Sequence, residues 1–229
     1  MVILESEPLL PPAMTYAVLF VLGGLLGLAA DRVAARWPAH EDGSIRAIGW
    51  RTPVTIAIAG LAMAQLGVRF DEPHERAIFG AYFVALIVLL ATDLDQRLLP
   101  DVITLSAIPF ALLFAVSGLN PLLEGGLSFG LGGALVAAVA LPGLILLLSL
   151  PFGRDAIGLG DVKLLVSVGL MSGFARGFIG LFAGAMAMAV VVIVLLVARR
   201  ITLKSYVPMG PFLIGGAMWG ILLPGLTLG

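Results

Sequence analysis

The sequence predicts an all-α membrane protein, a polytopic helical bundle of about eight transmembrane helices. Of its 229 residues, 60% are hydrophobic and 12% are charged, and the mean hydropathy is +1.12. A soluble domain of this length needs far more polar surface than this composition supplies. Because one membrane-spanning helix takes about 20 mostly apolar residues, the chain has room for roughly eight with short loops. We find neither an internal repeat nor a separate soluble segment, so we expect one integral membrane domain over residues 1–229.

The first half of the chain contains four apolar runs. The N-terminus has two glutamates and no basic residue, whereas a cleaved signal peptide begins with a basic region, so the first run is predicted to be a retained span. These runs end in the polar loop Ala35–Arg51, the charged loop Arg69–Arg76, the acidic stretch Asp93–Asp101 and the turn Asn120-Pro121. The predicted spans are Met14–Ala34, Thr52–Val68, Ala77–Thr92 and Val102–Gly118.

The second half contains four more apolar runs. The fifth is long and rich in glycine, and the loop Pro151–Asp161 separates it from a short sixth run. The loop Arg199–Ser205 separates the seventh run from the eighth. The predicted spans are Gly126–Leu150, Val162–Ser172, Gly177–Ala198 and Val207–Leu226.

The basic residues predict the orientation, because short cytoplasmic loops carry an excess of lysine and arginine. One predicted face has only Arg69, Arg76 and Arg176. The other face has the remaining ten, and we therefore predict that it is cytoplasmic. These ten are Arg32, Arg36, Arg46, Arg51, Arg97, Arg154, Lys163, Arg199, Arg200 and Lys204. A net charge of −1 without a basic block argues against a nucleic-acid partner.

Aspartates collect at the predicted cytoplasmic face in two groups. Asp93, Asp95 and Asp101 follow the third span, and Asp155 and Asp161 precede the sixth. Each alone is ordinarily a solvated charge paired with a neighbouring base, but a group at one membrane face calls for a reason. Two carboxyls from different helices can hydrolyse a peptide bond, one as general base on water and the other as acid to the carbonyl oxygen. Their mutual repulsion keeps one proton between them.

Three segments carry a family resemblance. They are TDLDQRLLPDVITL (Thr92–Leu105), GLGDVKLL (Gly158–Leu165) and YVPMGPFLIGG (Tyr206–Gly216). The first two resemble the paired motifs of the bacterial prepilin peptidases, the GxGD-type membrane aspartyl proteases of type IV pilus and type II secretion systems. The third is similar to the segment that opens the last span of that family. Their order and spacing match over nearly the whole chain.

The resemblance implies a prepilin-type aspartyl peptidase of the bacterial inner membrane whose catalytic residues are Asp93 and Asp161. The family cleaves prepilin or pseudopilin substrates on the cytoplasmic side, just after the glycine that ends a short basic leader. Many members also carry two C-x-x-C pairs that bind zinc in the loop after the first span, and they N-methylate the new terminus. The loop Ala35–Arg51 here is short, and the chain has no cysteine. We therefore expect no metal and no cofactor, and cleavage without efficient methylation.

Helix geometry favours the same pair of aspartates. Asp93 ends the third span, where packing still sets its direction. Asp95 lies about 200° further around a helix, facing away, and is predicted to be an auxiliary group. Pro100 breaks any continuing helix, and Asp101 is predicted to be the N-cap of the fourth span.

Residues on both sides of Asp161 are predicted to support it. Gly158 and Gly160 carry no Cβ, so backbone or substrate can come close to Asp161. Glycines also commonly pack membrane helices, and this chain has 29 of them. Lys163 either tunes the pair or extends to the cytoplasmic interface, and Arg97 is predicted to hold Asp95 or Asp101.

Two alternatives stay open. One is a broader GxGD intramembrane protease acting on other single-span substrates, although the D-x-D-x-x-x-x-P-D pattern resembles the prepilin family specifically. The other is a transporter or transferase in which Asp93, Asp95 and Asp101 hold a divalent cation such as Mg²⁺. A transporter site is expected near the middle of the membrane, whereas these residues lie at one face. Chelation with EDTA separates the cation-dependent alternative from a two-aspartate protease, which needs no metal.

Overall fold

The computed structural model describes residues 11–39, 43, 45–124, 129–152, 157–202 and 207–224. This part of the chain is helical with no β-strand, which confirms the predicted all-α class. Its α-helices are α1 (Pro12–Ala34), α2 (Arg51–Arg69), α3 (Pro73–Gln96), α4 (Asp101–Val116), α5 (Gly130–Ser149), α6 (Leu159–Val197) and α7 (Gly210–Leu222). Two short 3₁₀ helices, Pro121–Leu123 and Leu150–Phe152, precede and follow α5.

Five of these helices, α1, α2, α3, α5 and α6, are long and apolar enough to cross a membrane. The other two, α4 and α7, are apolar but shorter. The chain is therefore a multi-pass helical membrane protein, as the sequence predicts. The total of eight spans and the single domain over the whole chain stay predictions.

The helix α6 combines the predicted sixth and seventh spans. At about 1.5 Å per residue, a straight helix of its 39 residues would be about 58 Å long, nearly twice the hydrocarbon core of a bilayer. Gly173 breaks it with φ 72° and ψ −174°, a conformation that glycine adopts without a steric penalty. After the break, Gly180 lies against Gly216 and Gly184 against Phe212, so the second segment runs antiparallel to α7. Arg176, just after the break, lies at the Gly220 end of α7, and the second segment then runs back towards Gly210.

The helix α3 lies at the centre of the bundle. Its side chains are buried on several sides, as expected for a helix surrounded by others. Buried residues on it include Phe79, Tyr82, Phe83, Leu86, Ile87, Leu89, Leu90 and Ala91. The Tyr82 hydroxyl and the Ser167 hydroxyl of α6 lie 2.9 Å apart in a buried hydrogen bond. The last turn of this central helix carries two of the predicted site residues, Asp93 and Asp95.

The ends of the helices fall on two sides of the bundle, and the basic residues divide between them. At one end, Arg69 donates a hydrogen bond of 3.0 Å to the Leu223 carbonyl, and Arg176 donates one of 3.3 Å to the Gly220 carbonyl. At the other end, Arg51 binds Asp95 and Lys163 binds Asp101. We call this second side the site end, because the predicted site residues lie there.

Candidate active site

Asp93 lies in the last turn of α3 and is only 5% exposed. Its carboxyl packs against Gly210, the first residue of α7. A Cβ added to Gly210 would lie 2.6 Å from Oδ2, 2.7 Å from Cγ and 2.9 Å from Oδ1 of Asp93. No side chain fits at position 210 while the carboxyl stays where it is. This contact accounts for the glycine in the third motif, to which sequence reasoning assigned no role.

Asp161 approaches the same place from another helix. It lies in the first turn of α6, where its backbone N–H donates a hydrogen bond of 3.1 Å to the carbonyl of Gly158. Its side chain is half-buried and lies near enough to Asp93 for the two carboxylate charges to repel each other. Among the described residues, Oδ2 of Asp93 has no hydrogen-bond partner although it is buried. The fold thus brings together two carboxyl groups that are 68 positions apart in the sequence.

The linker after α3 holds the two helices against each other. Arg97 ends α3 in the left-handed conformation, with φ 56°, and turns the chain towards α6. Leu99 then packs on Gly160, where an added Cβ would lie 2.7 Å from the Leu99 Cβ. Gly160 therefore has a packing contact that the sequence did not indicate. An added Cβ on Gly158 would lie 3.6 Å from Oδ2 of Asp161, which is an ordinary contact distance.

The predicted N-cap role of Asp101 is wrong. Pro100 is the N-cap of α4, and its carbonyl accepts backbone hydrogen bonds from Ile103 (3.0 Å) and Thr104 (3.1 Å). Asp101 is the first residue inside the helix and caps no backbone group with its side chain. Its carboxylate, 63% exposed, instead lies 2.7 Å from the Lys163 ammonium. This ion pair joins the starts of α4 and α6 and gives Lys163 a partner outside the Asp93 and Asp161 pair.

Asp95 faces away from Asp93, in agreement with its helical position. Its side chain is 1% exposed, and Oδ1 lies 2.5 Å from Nε of Arg46 and 2.7 Å from Nη1 of Arg51. The sequence predicts Arg97 as the partner of Asp95 or Asp101. The structure shows two arginines at Asp95 and the lysine at Asp101, and it also places Arg97 near enough to Asp93 for their charges to interact. A pairing of Arg97 with Asp95 or Asp101 stays a prediction.

Sequence reasoning missed Asp31, near the end of α1. Its side chain is 1% exposed and accepts hydrogen bonds from Arg32 Nε (3.0 Å), Thr52 Oγ1 (2.8 Å) and Arg46 Nη2 (2.5 Å). The available signal was an ionisable residue inside a predicted span, a position that usually has a function or a partner.

Asp155, the other acidic residue predicted before the sixth span, lies outside the described residues.

The cation-binding alternative needs Asp93, Asp95 and Asp101 to converge. Each of the three instead has a different neighbour: Asp161, the arginine pair and Lys163, respectively. In the ranges that the structure describes, no three acidic, histidine or cysteine residues assemble into a metal-binding group. The side chains at the site end therefore favour a pair of carboxyls over a three-carboxylate cation site.

Comparison with known proteins points to one family. The model of the type IV leader peptidase family matches residues 80–194, half of the chain, including Asp93, Asp101 and Asp161. No solved structure matches.

Curated bacterial relatives agree with this match. Each is named "Prepilin leader peptidase/N-methyltransferase". The one from Pseudomonas putida is 26% identical over 213 residues, which covers 91% of this chain and 66% of the relative. Those from Pectobacterium carotovorum subsp. carotovorum (29% identical; 66% of this chain, 54% of the relative) and Dickeya chrysanthemi (34% identical; 61% and 47%) match shorter parts. The chain thus spans about half to two thirds of the length of these relatives.

Proposed function

Because this chain belongs to the type IV leader peptidase family, we propose that it is a membrane aspartyl endopeptidase that removes the short basic leader of prepilin-like or pseudopilin substrates. The observation that carries the proposal is the meeting of Asp93 and Asp161. Both come from separate helices within the family match, and the charge of one acts on the other at the end of the bundle. Two carboxyls that meet from separate helices can supply the general base and the general acid for hydrolysis of a peptide bond by water.

The proposed reaction uses the two carboxyls in opposite protonation states. The ionised one removes a proton from a water molecule while the water oxygen bonds to the carbonyl carbon of the scissile peptide. The protonated one donates its proton to the carbonyl oxygen, and a tetrahedral diol forms. The proton held by the first carboxyl then moves to the leaving nitrogen as the C–N bond breaks. The second carboxyl recovers a proton from a diol hydroxyl, so both groups return to their starting states.

The other predicted site residues stabilise the segments around Asp93 and Asp161 without taking part in the reaction. The Lys163–Asp101 ion pair and the Leu99–Gly160 contact join the start of α6 to the segment that follows α3. Pro100 sets the start of α4. Gly158 precedes Asp161 and leaves the side of the carboxyl open to a substrate backbone. We assign no proton transfer to any of these residues.

The substrate side of the proposal follows from charge and location. Ten of the thirteen lysines and arginines belong to the face that we propose to be cytoplasmic, at the bacterial inner membrane. A substrate anchored by one apolar segment presents its leader at that face, next to the end of the bundle where Asp93 and Asp161 meet. The curated relatives are named as N-methyltransferases as well. For this chain we propose peptidase activity without a metal and without efficient methyl transfer.

The experiment is cleavage of a purified prepilin-like substrate by the purified protein in detergent or liposomes, with and without EDTA. Mass spectrometry of both products locates the broken bond. We expect cleavage directly after the glycine that ends the basic leader, at an unchanged rate in EDTA. A substrate with that glycine replaced serves as the control and should stay intact. Absence of cleavage, or its loss in EDTA with recovery on adding Mg²⁺, would contradict the proposal and favour the cation-dependent alternative.

A further inference from the structure

Two buried carboxylates lie at the site end without being part of the proposed catalytic pair. Asp31 is near the C-terminus of α1 and Asp95 near that of α3, and each side chain is 1% exposed. The C-terminal end of a helix carries partial negative charge, so a carboxylate there is disfavoured. A buried carboxylate in such a place needs close cationic partners to remain in the fold.

Arg46 is a partner of both. Its Nη2 lies 2.5 Å from Oδ1 of Asp31, and its Nε lies 2.5 Å from Oδ1 of Asp95. Arg46 belongs to the non-helical segment 45–50 between α1 and α2, and its side chain is 16% exposed. The contact with Asp31 is a hydrogen bond and the contact with Asp95 is an ion pair. The planar guanidinium spreads its charge over two edges, which suits a bridge between two carboxylates better than the compact ammonium of lysine.

The bridge acts on the last turn of α3. Asp95 follows Asp93 by two residues, about 200° around the helix, so the two side chains point to opposite sides. Gln96 ties the same turn to the segment after α1, because its Nε2 donates a hydrogen bond of 2.6 Å to the Pro38 carbonyl. Fixing the side of the turn that carries Asp95 also fixes the direction in which Asp93 points.

We propose that Arg46 is a positioning residue for the catalytic pair, which it serves by joining the ends of α1 and α3 through Asp31 and Asp95. This rests on the proposed peptidase function. Arg46 acts on the position of Asp93 and not on its charge. Without Arg46, the two carboxylates keep Arg32 and Arg51 as individual partners, so the charges of this cluster remain balanced. What is lost is the ionic connection between the two helix ends, while the hydrogen bonds from Gln96 to the Ala34 and Pro38 carbonyls remain.

The kinetic test compares Arg46→Gln, Arg46→Lys and the control Arg36→Gln. Arg36 also lies at the site end, but its Nη1 donates to the Arg32 carbonyl and bridges no carboxylates in the described structure. Misplacing a catalytic group by about 1 Å costs on the order of 10²-fold in rate, so we expect Arg46→Gln to lower kcat by 10- to 10²-fold with KM unchanged. Arg46→Lys should recover part of kcat, and Arg36→Gln should match the parent. A raised KM at unchanged kcat, or an unchanged kcat, would overturn the proposal.

A second readout does not depend on activity. The chain has no cysteine, so spin labels can be attached at Leu98→Cys and Leu159→Cys, which are 50% and 73% exposed at the end of α3 and the start of α6. Electron paramagnetic resonance should give a narrow distance distribution that broadens or shifts on adding Arg46→Gln, and less so with Arg46→Lys. An unchanged distribution would refute the positioning role. If the parent cleaves no prepilin-like substrate, the proposed function fails, while this distance measurement still decides on Arg46.

Discussion

Replacing Gly210 by alanine adds a single methyl group directly against the proposed catalytic carboxyl. The new Cβ would lie 2.6 Å from Oδ2, 2.7 Å from Cγ and 2.9 Å from Oδ1 of Asp93. Carbon atoms in ordinary contact are about 3.5 Å apart, so the carboxyl would have to move by roughly 0.8 Å. Asp93 is only 5% exposed, so the displacement is taken up by its side-chain torsions and by the neighbouring helix end.

A displacement of this size should lower the cleavage rate strongly and the free energy of unfolding only moderately. A misplacement of about 1 Å can cost on the order of 10²-fold in rate, so we expect Gly210→Ala to lower kcat by about that factor. Overpacking of one methyl group costs about 1–3 kcal/mol, which a folded bundle tolerates. The variant should therefore remain folded and inserted while losing nearly all cleavage of a prepilin-like substrate.

The assay is initial-rate cleavage with matched amounts of purified protein, together with thermal unfolding in detergent. Gly215→Ala is the matched control, because it adds the same methyl to the same helix where nothing lies within 4 Å. It should retain parental activity. If Gly210→Ala cleaves within about twofold of the parent, a shift of this size does not impair the reaction, and Asp93 does not act as we propose.

Three further outcomes are expected. Asp101→Asn should keep most of the cleavage rate, because an exposed ion pair contributes about 0–1 kcal/mol; an inactive variant would assign Asp101 to the chemistry. Reporter fusions at Arg97 and Asp71 should report opposite sides of the membrane, and the same readout at both would reject the proposed orientation. Mass spectrometry of the processed substrate should show an unmethylated N-terminus, since the loop Ala35–Arg51 has no cysteine; quantitative methylation by the purified protein would contradict this.

Hydrophobic runs were enough to predict the helices, but not where α3 ends. The hydropathy pattern predicts a polar loop from Asp93 to Gln96, because it depends on the charges in this stretch and contains no information about their partners. The structure keeps it helical, with Asp95 bound by two arginines and Gln96 by a backbone carbonyl. A run of charges extends a helix when tertiary contacts neutralise them, and those partners are distant in sequence.

The family resemblance of the two motifs predicts Asp93 and Asp161 as a pair, and their catalytic role stays a prediction. The contacts around the pair could not be predicted from the sequence. The role of Gly210 depends on a contact between α3 and α7, which no local pattern encodes. The predicted N-cap of α4 was wrong by one residue, because Pro100 and Asp101 are both compatible with the start of a helix. The Asp101 carboxylate pairs with the Lys163 ammonium and does not cap the helix, and this distant partner could not be predicted from the local sequence. Asp31 lies in an apolar run, and its partners Arg46 and Thr52 are distant in sequence.

The most direct test of the central claim is the cleavage rate of Asp93→Asn and Asp161→Asn beside Asp95→Asn, each at matched protein level. Asparagine keeps the shape of the side chain and removes its ability to transfer a proton. General acid–base catalysis contributes about 10²–10⁴-fold, so we expect the first two variants to lose essentially all cleavage. Asp95→Asn should cleave more slowly than the parent but measurably, because Asp95 acts through position. Near-normal cleavage by Asp93→Asn or Asp161→Asn, with Asp95→Asn inactive, would contradict the account.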